Sequence, residues 1–142
     1  ISDFFNLETV EKCIEETQTG FQMRNPEELI DNDNLRDSLS SVHHVSDIEI
    51  ASFDLEHSSD AILDPGEKHL LIHAEKCEDA WLINTPDKAA MRFIYEMGWG
   101  DRMLSIESMI DRVRAHTSSQ IRNNFTESWL TTEKSKFALG AL

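Results

Sequence analysis

Apolar positions recur along the chain at two intervals, and these intervals predict an alternation of helices and strands. In the stretch SDFFNLETVEKCIEETQTG, Leu7, Val10 and Ile14 form one helical stripe with Cys13 beside it, and Gly20 is the expected stop. Asn25, Pro26 and Glu28 repeat the arrangement of a helix start: a cap, a first-turn proline and an acid three positions after the cap. Leu35, Leu39 and Val42 keep helical spacing beyond the polar run DNDN, which predicts one broken helix or two short ones. The period then changes. In DIEIASFDL, Ile48 and Ile50 alternate with Glu49, and Phe53 and Leu55 with Asp54, the pattern of a strand with one wet face.

DPGEKHLL opens the next predicted helix, with Asp64 as cap, Pro65 as first helical residue and Glu67 as reciprocal capping partner. Leu70, Ala74 and Cys77 would face inward. Ala80 to Ile83, apolar without alternation, reads as a core strand covered on both faces. Thr85 as cap, Pro86 and Asp87 in the first turn, and a stripe of Ala90, Phe93, Ile94 and Met97 predict a helix ending at Gly98. DRML is a short strand candidate, Ser105 caps a helix over IESMIDRVRA, and residues 119–137 read as a last helix with Ile121, Phe125, Trp129 and Leu130 inward. This order predicts an α/β domain with right-handed crossovers.

The 142 residues make one domain's worth of chain, so residues 1–142 are read as a single domain with a real core. Mean hydropathy is −0.43, and no apolar run is long enough to span a bilayer. The N-terminus has no initiator Met and no basic or apolar leader, so the expectation is a piece of a longer chain without a secretory signal. Cys13 and Cys77 are far apart on predicted buried stripes, which fits a reduced, cytoplasmic setting.

The formal net charge of −14 is unevenly spread: residues 1–87 hold 21 acids and 5 bases, residues 88–142 hold 6 acids and 8 bases. The net charge argues against binding nucleic acid by overall attraction, because neutralising phosphates takes Lys and Arg. Arg102, Arg112, Arg114 and Arg122 could meet a phosphate backbone or an acidic partner; the plain alternative is solvated surface charge.

Ligands of open parallel sheets bind beyond the carboxyl ends of strands, where helix N-termini also point. Glu67 and Asp87 both fall at such places, on either side of the predicted core strand. Two such carboxylates suit Mg²⁺ or Mn²⁺, although capping alone accounts for Glu67 and the helix dipole alone for Asp87. His69 and His73, four apart, have the spacing for two imidazoles on one Zn²⁺, but no third ligand is evident, and His43 and His44 say less still. Phosphate-binding glycine loops, G-x-S-x-G and paired C-x-x-C motifs are absent. Trp81, Trp99 and Trp129 read as packing residues rather than base-stacking platforms.

Residues 60–112 resemble the C-terminal half of PIN-domain proteins, small α/β nucleases. The resemblance lies in a GE opening a helix, an apolar strand ending in Thr and Asp, an Ala-rich helix, a Gly, and a short strand leading to S-x-E. Upstream, ISDFFNLETV is similar to the end of the family's second strand and the helix after it, with Glu8 as its acid. The resemblance implies a three-layer α/β/α fold with a mostly parallel central sheet, lacking its first strand and that strand's Asp, and a C-terminal helix. It implies an Mg²⁺- or Mn²⁺-dependent endoribonuclease with Glu8, Glu67 and Asp87 as metal ligands, Glu8 alternatively orienting water, and Thr85 as a hydrogen-bonding neighbour. With the first Asp missing, a catalytically silent module for protein association is the alternative. RNA, a protein partner or a second copy of the chain, and the toxin role in a toxin-antitoxin pair complete the expectations.

Overall fold

Ser46, not the alternation that follows it, decides the structure of the DIEIASFDL segment. Its hydroxyl accepts a hydrogen bond from the Glu49 amide at 3.2 Å and opens a helix over Asp47–Glu56. The computed structural model of the protein describes residues 5–19, 29–57, 62–113 and 120–140. Two compact units divide it, Ser2–Glu78 and Asp79–Leu142.

In the first unit the order is β1 (Glu8–Val10), α1 (Glu11–Thr19), α2 (Asn32–Asp37), β2 (Ser41–His43), α3 (Asp47–Glu56) and α4 (Pro65–Lys76). β1 and β2 pair in parallel with Glu8 opposite Ser41, Thr9 opposite Val42 and Val10 opposite His43. A parallel pair needs a crossover, and the chain between the two strands supplies it. Val10, Ile14, Phe53, Leu71 and Ile72 are buried, with α4 packed on α1, β1 and α3.

The start of α4 shows how packing completes a cap. Asp64 stands at the N-cap position but its side chain makes no capping hydrogen bond. Glu16, from α1, accepts from the Gly66 amide at 2.9 Å instead, and the Cys13 thiol donates to the Gly66 carbonyl at 3.4 Å. Gly66 permits this approach, since a Cβ there would run into the Glu16 carboxylate.

The second unit contains α5 (Lys88–Glu96), a 3-10 turn at Gly100–Arg102, α6 (Ile106–Arg112), a second 3-10 turn at Asn123–Phe125, and α7 (Glu127–Ala138). Ala90, Met91, Phe93 and Ile94 are the buried face of α5. Gly98, at φ 77°, ends that helix by sending its amide to the Tyr95 carbonyl while the Trp99 amide returns to Ile94. The Arg102 guanidinium lies 4.4 Å over the Trp81 ring, which meets Trp99 edge-on. Ser105 caps α6 as its sequence position predicts, and its hydroxyl also donates to Glu127 at 2.6 Å.

The expected three-layer α/β/α fold with a mostly parallel central sheet is not what forms. Among the described residues the structure is mostly helical, with one two-stranded parallel sheet. Residues 47–56 are helical, with Ile48 and Leu55 80% and 85% exposed. The alternation was too short to outweigh a cap whose Ser and Glu lie three apart. Ala80 to Ile83 is not a core strand: Ile83 makes a single parallel bridge to Met103, and Leu82 is 52% exposed. Val42 lies in β2 rather than a helix, Val10 ends a strand, DRML begins in a 3-10 turn and keeps of a strand only the Met103 bridge to Ile83, and the last helix begins at Glu127. Gly20, Asn25, Pro26, Glu28 and Arg114 lie outside the described residues. Among the described residues no helix is long and apolar enough to cross a membrane.

Glu133 is a charged residue on the buried side of α7, its side chain only 3% exposed. Its carboxylate accepts from Lys136 at 2.8 Å and faces Lys88 at 3.7 Å. The Lys136 hydrogen bond, supported by both lysine charges, outweighs burial and holds the carboxyl below its ordinary range. A folded-state pKa below the unfolded one contributes stability that is present above the unfolded value and lost as pH falls through the folded one. Urea unfolding between about pH 5 and pH 2 should therefore show a steeper acid loss in the parent than in Glu133→Gln. Equal slopes would remove Glu133 from the acid response.

Candidate metal centre

The parallel register brings an acid and an imidazole onto one strand pair. Glu8 faces Ser41 across the ladder, so His43 lies two residues further along the neighbouring strand, on the same side by the period of two. Its Nε2 lies 2.8 Å from Glu8 Oε2. α4 supplies the third group: His73 Nε2 lies 3.8 Å from the same oxygen, and the two imidazole rings stack at 3.8 Å with 20° between their planes.

The donor atoms of Glu8, His43 and His73 all lie within 4.8 Å of one another. Tetrahedral Zn²⁺ with bonds near 2.0–2.1 Å separates its ligand atoms by roughly 3.3 Å. The separations of 2.8 and 3.8 Å straddle that value, and the two imidazoles would have to turn out of their near-parallel stack for both nitrogens to point at one ion. All three groups are partly open to solvent, which leaves room for a water in the remaining position.

Burial, then the neighbouring His43, push the His73 pKa down, and Glu8 opposes them. The neutral imidazole is the form that binds metal. Burial foremost, with Lys12 and Lys68 behind it, also lowers His69. The surrounding charge favours cations as well, because residues 2–78 hold 19 acids and 5 bases.

Of the residues expected to bind metal, Glu8 is the one in this cluster. His73 finds its imidazole partner in His43 on a separate strand, rather than in His69 one turn earlier on its own helix. Nothing local marks His43, since its role arises from the pairing of β1 with β2. Glu67 sits in the first turn of α4, in the first unit.

Thr85 and Asp87 belong to the second unit and come together at the start of α5. Asp87, rather than Thr85, is the N-cap: its Oδ1 accepts from the Ala90 amide at 2.8 Å, and the buried Thr85 hydroxyl accepts from the Asp87 amide at 3.1 Å. Asp87→Ala should therefore lose about 1 kcal/mol in urea unfolding, and Asp87→Asn a few tenths at most, since Asn caps as well as Asp. Equal losses in the two variants would show that the charge rather than the cap matters. In comparisons with known proteins, no family model, curated protein or solved structure matches the chain.

Proposed function

We propose that the protein binds a divalent transition metal of the zinc class through Glu8, His43 and His73. The observation that carries this reading is the meeting of one carboxylate and two imidazoles from three separate segments, with donor atoms within 4.8 Å of one another. Imidazole nitrogen suits zinc better than magnesium, so this donor set favours Zn²⁺ over the Mg²⁺ expected from carboxylates alone. Three protein ligands leave a coordination position for water, whose pKa a zinc ion lowers to about 7. The chemistry available at such a centre is hydrolysis by a metal-activated water.

Equilibrium dialysis of the full chain against Zn²⁺ tests the binding. Replacing His43 or His73 by Ala should lower the bound metal by one equivalent per chain, and Glu8→Gln should weaken that equivalent at least about tenfold, the scale of a lost metal ligand or its close support. Unchanged stoichiometry in both histidine variants overturns the assignment.

Metal-dependent cleavage of RNA is the second reading, favoured by the place of Glu8 in the cluster and by the water position the three ligands leave. The acidic first unit repels RNA, so substrate binding would fall to the 8 bases of residues 79–142 or to a partner. On this reading Mn²⁺- or Zn²⁺-supported cleavage is lost in Glu8→Gln. Full cleavage in Glu8→Gln overturns it. Metal binding without cleavage leaves a module for protein association.

A further inference from the structure

The geometry points to a second divalent-cation site, formed by Glu56, His57 and Glu75 on the other flank of α4. Their donor atoms also lie within 4.8 Å of one another. His57 Nε2 faces both oxygens of Glu75, at 3.0 and 3.2 Å, and Glu56 precedes it at the end of α3. Glu75 is two residues beyond His73, a rotation of about 200° around a helix, so the two clusters use opposite faces of α4.

The site has built walls. The His57 ring packs on buried Phe53 with centroids 4.7 Å apart, and its amide caps α3 by donating to the Phe53 carbonyl at 2.8 Å. That contact orients the imidazole toward Glu75, as a supporting group orients a metal-binding histidine. A cavity of about 240 Å³ opens against the same two carboxylates, floored by Phe53 and Ile72 and edged by Glu49 and Lys76. Lys76 is engaged by Glu49 at 3.1 Å, which leaves the Glu56 and Glu75 side of the rim negative. An ion held by the triad would turn its open positions toward this cavity, where water or a small oxygen-donor ligand completes the shell.

One imidazole with two carboxylates is a harder donor set than two imidazoles with one. The class of ion it selects shifts accordingly, from Zn²⁺ toward Mn²⁺. The inference does not depend on the first centre, because the two triads share no residue.

The test uses the full chain carrying His43→Ala and His73→Ala, titrated with Mn²⁺ and followed by loss of the free-ion electron paramagnetic resonance signal. One equivalent should bind in this background. Adding His57→Ala should abolish it, and adding Glu75→Gln should weaken it at least tenfold, with circular dichroism unchanged from the background. Glu75 is a partly exposed helix position, so its variant guards against misfolding through His57. No bound Mn²⁺ in the background, or an equivalent that survives both additions, overturns the site and leaves His57–Glu75 as an ion pair only. Failure of the first centre reads differently: the His43 and His73 substitutions would then remove no metal, while His57→Ala still would.

Discussion

Zn²⁺ at one hundred times its dissociation constant should stabilise the folded chain by about 2.7 kcal/mol for each proposed site it fills, provided that the unfolded chain does not bind it. Glu8, His43 and His73 come from β1, β2 and α4, separated by 35 and 30 residues along the chain, so unfolding disperses the ligands and the binding energy adds to folding. For a unit of 60–100 residues each kcal/mol moves the unfolding midpoint by about 4–8 °C. The expected rise is therefore on the order of 10 °C, read by circular dichroism with and without Zn²⁺. His43→Ala with His73→Ala should remove this gain and leave only what the Glu56–His57–Glu75 site contributes. A full Zn²⁺ shift in that double variant is incompatible with the proposed centre.

Leu71→Ala should cost about 2–5 kcal/mol, measured by urea unfolding with the dependence on denaturant unchanged. Leu71 is fully buried on α4, the helix that packs on α1, β1 and α3. Removing three carbons there loses the transfer energy and leaves a cavity that neighbouring helices close only in part. Domains of this size are stable by about 5–15 kcal/mol in all, so the change takes a large share. Because α4 carries both His73 and Glu75, the same substitution should also weaken Zn²⁺ binding by loosening the frame that positions them. A loss below about 0.5 kcal/mol, the range of surface substitutions, would mean that α4 is not the centre of the first unit.

What the sequence determined by itself is local. Pro65 as the first residue of α4, Ser105 at the start of α6, the buried Ala90, Phe93 and Ile94 of α5, and its stop at Gly98 were all legible. Each is set within one or two turns by backbone geometry, a side-chain cap or a 3.6-residue period. Even locally two signals conflicted over residues 46–56, where the Ser46 cap prevailed over the alternation of Ile48, Ile50, Phe53 and Leu55.

Tertiary structure alone decided which distant groups meet. The parallel pairing of β1 with β2 gave Glu8 its partner His43, α4 brought His73 onto the same oxygen, and packing of α1 replaced Asp64 by Glu16 as the cap of Gly66. Single-sequence periodicity carries no record of such pairings, because the energy that selects them comes from burying Val10, Ile14 and Leu71 together rather than from any residue's neighbours in the chain.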